Sequence, residues 1–160
     1  MVRPYRESDA AAVWELKRGF ELGLGSGTGT DEKAAVYREK LDDEYRKGYL
    51  EWLDRCMAEE PRAVQVAERD NELVGYVFVL PESLAYVWDA AVLNEIFVVE
   101  DHRGSGVGDD LMEAAIAVAT DQELPLDRMV LDVDRENARA QAFYERWGFE
   151  HWGEMVARPL

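Results

Sequence analysis

Ile96-Phe97-Val98-Val99-Glu100-Asp101-His102-Arg103-Gly104-Ser105-Gly106-Val107-Gly108 decides the architecture of this chain. An apolar, β-branched run reads as a strand, the glycines as a tight turn, and the residues from Val107 onward as a helix. Strand, glycine turn and helix start together make a cradle for phosphate. Unpaired N–H groups at the helix start point at an anion, and the missing side chains let the backbone approach it. The spacing is not the dinucleotide fingerprint G-x-G-x-x-G, because the third glycine is Gly108 and position 109 is Asp109. Nor does a Lys-Ser/Thr pair follow the last glycine, as a Walker-type loop requires.

Downstream, Leu111, Met112, Ala115, Ile116 and Ala119 recur at helical spacing and predict a helix over Val107 to Thr120. Pro125 marks a return loop, and the alternation of Met129, Leu131 and Val133 with Val130, Asp132 and Asp134 predicts a strand. Ala138 to Trp147 is a short helix stopped by Gly148, and Phe149 to Ala157 is expected as a last strand. Upstream, Val2 to Tyr5 opens as a strand, Ser8 is expected to cap a helix over Ala10 to Phe20, and Gly23 to Thr30 is expected as a loop. Asp31 to Glu59 reads as one helix ended by Pro61. Ala63 to Ala67 and Leu73 to Leu80 read as strands joined at Asp70-Asn71, and Ala91 to Val99 as the next strand. The order β-α-α-β-β-β-α-β-α-β predicts an α/β fold, a mixed sheet with helices on both faces. No repeat or linker divides the chain, so residues 1–160 are expected to form a single domain.

Composition narrows the function. Asp and Glu number 34 against 18 Lys and Arg, a net charge of -16. That disfavours nucleic acid and anionic membrane surfaces as partners, since both demand a basic face. No apolar run approaches the roughly 18 residues of a membrane span, and the N-terminus lacks a signal-peptide core. The single Cys56 excludes an internal disulfide and suits a reducing, cytoplasmic setting. The acids are distributed along the chain, which favours a salt-adapted surface; attraction of a cationic substrate is the alternative.

Two motifs carry a resemblance. Arg103-x-x-Gly106-x-Gly108 resembles the R/Q-x-x-G-x-G/A signature of the GCN5-related N-acetyltransferases. Asn137-x-x-Ala140-x-x-Phe143-Tyr144-x-x-x-Gly148-Phe149 resembles the second signature of the same family, in the right order and one helix and one strand later. The resemblance implies a mostly antiparallel, splayed sheet, acetyl-CoA as donor, and a primary amine as acceptor, joined without an acyl-enzyme. It implies that the backbone of Ile96, Phe97 and Val98 pairs with the pantetheine arm and polarises the thioester carbonyl. The turn Arg103, Gly104, Ser105, Gly106, Val107 and Gly108 would hold the pyrophosphate, Asn137 the pantetheine side, and Tyr144 would protonate the leaving thiolate. Asn137 also suits a helix cap, and Tyr144 a core position.

An ammonium has no lone pair, so the acceptor must lose a proton before it attacks. Glu95 and Asp132 are the two candidate bases. His102 and His151 lack metal-ligand spacing, and no metal is expected. Cys56 is expected as an idle thiol, and Trp52, Tyr86, Trp88 and Trp152 mostly as core aromatics. Ser105, Asp109 and Asp110 stand where many relatives carry cations. The short C-terminus leaves either two short strands split at Gly153 or a homodimer that completes the sheet edge. A non-catalytic acyl-CoA sensor or interaction module of the same fold is the alternative function.

Overall fold

The computed structural model describes residues 1–26 and 31–160. Five strands, β1 (Val2–Pro4), β2 (Val64–Arg69), β3 (Glu72–Val79), β4 (Ala91–Val98) and β5 (Met129–Val130), form one sheet in that order. The first four are antiparallel, and β5 joins β4 in parallel. A parallel neighbour needs a crossover, which helix α5 (Val107–Thr120) supplies. The hairpin between β2 and β3 closes on two residues, Asp70 and Asn71, with φ of 52° and 65°. Both are left-handed, the geometry a two-residue hairpin needs to match strand twist, and Asp and Asn tolerate it best after glycine.

Helices α1 (Ala10–Ser26), α2 (Asp31–Glu39) and α3 (Asp43–Glu59) precede β2, and α4 (Glu82–Ala85) is a short turn before β4. Val13 and Trp14 of α1 and Leu53 of α3 pack with Tyr76 and Phe78 on one face of the sheet. Leu111, Met112, Ala115 and Val118 of α5 cover Val77, Val79 and Leu93 on the other. The Val, Leu, Met and Phe side chains among these each contribute about 1.5–3 kcal/mol on leaving water. The mixed α/β sheet with helices on both faces is therefore the architecture observed.

Several details differ from the sequence expectation. Helix α1 runs on through Gly23, Leu24, Gly25 and Ser26, where a loop was expected; Gly27 to Thr30 lie outside the described residues. Its entry is set by Asp9 instead of Ser8: the Asp9 carboxylate takes the Arg6 N–H and the Arg3 guanidinium. The long helix breaks after Glu39, because Asp42 caps a new start by accepting from the Tyr45 N–H at 2.8 Å. Ile116 sits at the rim of α5, while Val118 is buried. Of the four aromatics expected in the core, Trp52 packs against Phe78, but Tyr86, Trp88 and Trp152 are more than half exposed.

The largest difference lies after β5. The strand expected over Met129 to Val133 keeps only two paired residues, Ala91↔Met129 and Val92↔Val130. Asp134 draws the chain away: it accepts from Glu136 N at 2.9 Å and pairs with Lys33 of α2, while its carbonyl takes Asn137 N. With so short an edge to join, Phe149 to Leu160 forms no strand, and residues 151–160 are exposed.

Candidate active site

Because β5 leaves after Val92, β4 has an open edge from Leu93 onward, and a cleft of about 1580 Å³ occupies the gap. Its walls are that edge, the segment Leu131–Asp134, helix α6 (Ala138–Arg146), the glycine turn and part of α1. The volume exceeds the roughly 300–1,000 Å³ usual for one small ligand and suits a long cofactor beside an acceptor.

Phe78 pairs with Glu95 and Val79 with Leu93, so Asn94 is an extra residue, a β-bulge in β4. The bulge sets which backbone groups face the cleft. Val99 N donates to Val74 O of β3, and an antiparallel ladder alternates, so Glu95 and Phe97 face β3 as well. Ile96 and Val98 turn toward the cleft. Arg103 Nε marks this by donating to Val98 O at 3.0 Å. Ile96, Phe97 and Val98 all border the cleft, the backbone of Ile96 and Val98 turned toward it and that of Phe97 toward β3.

At the far end, Gly104 and Gly106 have φ of 76° and 92°. A side chain at either would be strained whatever the space. Gly106 is the N-cap of α5 and has no side-chain cap, which leaves the first N–H groups of the helix for a ligand. Gly108 serves differently: a Cβ there would meet Phe143 Cε2 at 3.3 Å, so it lets α6 approach α5. Ser105 Oγ donates to His102 O, bracing the turn. Asp109 and Asp110 do not face an anion bare. Asp109 accepts from Trp147 Nε1 and Arg146, each at 2.9 Å, and Asp110 from Arg69. Both guanidinium and indole hold the Asp109 carboxyl below its ordinary range. Arg103 and Arg139 both line this end of the cleft. Burial and the Arg103 charge lower the Arg139 pKa, as expected of two cations held together where an anion would relieve them. Nothing in the sequence marks Arg139 beyond its place two residues after Asn137.

Asn137 caps α6, its Oδ1 accepting from Ala140 N at 3.1 Å, and it also borders the cleft. Tyr144 stands on the same wall between the rings of Phe143 and Phe149, 5.6 and 5.8 Å away. Burial pushes its hydroxyl up to about 12, against the pull of Arg139. The group therefore stays protonated and can donate. Asp132 is exposed and borders the cleft opposite β4.

Glu95 also borders the cleft, but its side chain is placed quite differently from that of Asp132. It is 5% exposed beneath α1 and α3. Its Oε1 accepts from Lys17 at 2.7 Å, and its Oε2 from Tyr49 and Tyr76 at 2.9 and 2.7 Å. Lys17 also holds Glu21, which pairs with Lys40 at 2.7 Å. Burial alone would lower the Lys17 pKa, but the charges of Glu95 and Glu21 outweigh it and push the ammonium up to about 12. This cluster has no sequence motif, since its members come from four elements.

The remaining candidates fall away from the cleft. Cys56 is buried on α3, and burial pushes its thiol up to about 11, away from thiolate. Among the described residues no group of His, Cys, Asp and Glu is placed to hold a metal, and no helix is long and apolar enough to cross a membrane.

Comparison with known proteins gives the same frame. The acetyltransferase (GNAT) family model matches residues 30–149. A mycothiol acetyltransferase of Salinispora tropica is 39% identical over 174 residues, covering 94% of this chain and 55% of the relative. An uncharacterized N-acetyltransferase of Archaeoglobus fulgidus is 34% identical over 100 residues, covering 61% and 65%. The chain thus spans less than two thirds of the length of these curated relatives. The crystal structure of PaiA N-acetyltransferase from Thermoplasma acidophilum, in complex with coenzyme A, superposes with a TM-score of 0.69 at 18% identity, covering 94% of this chain and 89% of that one. With three quarters of its length inside the family model and the bulged, open-edged strand beside a glycine turn, this chain belongs to the GNAT family of acetyltransferases.

Proposed function

We propose that this chain is an acetyl-CoA-dependent N-acetyltransferase that acts on a primary amine by direct attack. The observation that carries this is one cleft in which the open edge of β4, the uncapped start of α5 and the Tyr144 hydroxyl meet. Acetyl-CoA supplies an activated acyl group and a thiolate leaving group. The outward N–H and C=O groups of Ile96 and Val98 match the amides of a pantetheine arm as an added strand would. The α5 start, with Arg103 and Arg139, suits the phosphates. The N–H of Ile96 is the donor available to a thioester carbonyl as negative charge grows there. Asp132, exposed in the cleft, is the base the geometry favours for the ammonium proton, directly or through water. The C–N bond forms as the C–S bond breaks, and Tyr144 returns a proton to sulfur.

The acceptor is a primary amine of a small molecule or a protein N-terminus. The distributed acids fit a salt-adapted surface, and retention of fold in molar salt with loss in dilute buffer is the expected behaviour. Isothermal titration with CoA tests the reading at its base. Binding is expected, and no heat in either dilute or molar salt overturns it.

A further inference from the structure

Resting on the acetyl-CoA reading above, we propose that Glu95 and Lys17 form a positioning pair for the backbone N–H of Ile96, and that Glu95 is not the base. Glu95 directly precedes Ile96 and directly follows the bulge at Asn94. The peptide joining Glu95 to Ile96 carries the N–H that faces the cleft. In the interior strands β2 and β3 such a peptide is fixed from both sides by neighbouring strands. Here β5 has already departed at Val92, so one side has no strand to hold it. The Glu95 side chain supplies the missing restraint.

Its carboxylate is bonded to three elements at once: Lys17 of α1, Tyr49 of α3 and Tyr76 of β3. Asn94 Nδ2 adds a longer contact at 3.4 Å. These donors occupy both oxygens, and Tyr76 and Tyr49 are themselves buried. A carboxylate that must receive a proton from an incoming amine would have to release one of these donors and leave it unsatisfied in the interior, which is costly. The charges also close on themselves. Lys17 and Lys40 balance Glu21 and Glu95 in charge, and the buried Glu21 Oε2 has an ion pair to Lys40 but no hydrogen bond. The arrangement holds a fixed dipole in place before reaction, as electrostatic catalysis requires.

The test reads the bound carbonyl and needs no knowledge of the acceptor. Acetyl-CoA labelled with ¹³C at the thioester carbonyl is bound to the protein, and its stretching frequency is followed by difference infrared spectroscopy. The wild type is expected to lower that frequency. Glu95→Gln and Lys17→Met are each expected to lose more than half of the shift, while the Kd for CoA, which lacks the carbonyl, stays within about threefold. The double variant is expected to lose about as much of the shift as either single variant, since both residues act through one pair. Asp132→Asn leaves the shift unchanged. A full shift in both single variants overturns the proposal. Where either single variant fails to fold, Tyr49→Phe and Tyr76→Phe remove one hydroxyl each; an unaltered shift in both of these also overturns it. Failure of the wild type to bind CoA overturns the cofactor reading instead, a distinct outcome.

Discussion

The cleft is built by two unlike methods. At the glycine turn, the groups that face an anion are backbone N–H groups within a few consecutive residues, and the nearby acids Asp109 and Asp110 are paired by Arg146, Trp147 and Arg69. At the open edge of β4, the strand carries a buried cluster of side chains that lie far apart in sequence, such as Lys17 and Glu95, 78 residues apart. The turn is preorganised by local conformation, so its cost is paid in φ angles. The Lys17–Glu95 cluster is held by burial of charge, so its integrity depends on every partner being present. Local sites tolerate distant change and fail on one glycine; networked sites behave the other way round.

The sharpest way to break this contrast is at Gly106. Gly106→Val lowers stability through strain of about 1–3 kcal/mol at a left-handed position, and moves the backbone so that about two bonds to an anion, of about 1.5–3 kcal/mol each, are lost. CoA affinity should fall about a thousandfold in a folded protein, by the arithmetic of 1.4 kcal/mol per decade. Titration calorimetry beside circular dichroism checks it, and unchanged affinity would remove the cofactor from the turn. Tyr144→Phe comes next. It deletes one hydroxyl and little volume, and the kcat of a general acid should drop about a hundredfold, within the usual range for such groups, with CoA affinity kept. Single-turnover thiol release measures this, and a wild-type rate would mean that water protonates the sulfur.

Arg139→Gln probes whether side chains assist the local site. Loss of one charge-assisted contact at an exposed position should weaken CoA binding about fivefold in dilute buffer and less in molar salt, where the Debye length is about 3 Å. An effect independent of salt would argue for packing instead. The smallest change is the pH dependence of what the Lys17 cluster contributes. The Lys17 pKa is raised from 10.5 to about 12, so its contribution to stability is complete below 10.5 and lost as pH climbs through about 12. The Glu21 pKa is lowered from 4.5, chiefly by Lys17 against the opposing effect of burial, so its contribution is present above 4.5 and lost on acidification. The difference in Tm between wild type and Lys17→Met should therefore be flat between those limits and narrow outside them. A constant difference at all pH values would show that only packing was lost.

The same contrast explains what could be read from the chain alone. The turn, its helix and the Asn137 cap were legible because each depends on residues within one helical turn of one another. Gly108 was legible as a glycine but not in its use, since its neighbour Phe143 is known only once α6 is placed. Glu95 was singled out as a carboxylate on the right strand, yet its burial under Lys17, Tyr49 and Tyr76 depends on how α1 and α3 cross the sheet. The end of β5 was lost for a related reason. Alternation over Met129 to Val133 is a genuine strand pattern, but Asp134 ties the chain to α2 and α6, and that tertiary pull prevails over the local preference.

The bond from the Trp147 indole to Asp109 gives the molecule an optical handle on its own site. Of the five tryptophans, Trp88 and Trp152 are more than half exposed, while Trp14 is buried in the core between α1 and α3. Among the described residues, Trp147 is the tryptophan that donates its ring N–H to the first turn of α5, one residue beyond Gly108. An anion arriving at that turn changes the electric field along the indole. Emission of Trp147 therefore reports occupancy of the turn without any added dye. With Trp88 and Trp152 replaced by Phe to lower the background, a fluorescence titration would follow cofactor arrival at protein concentrations far below those calorimetry needs.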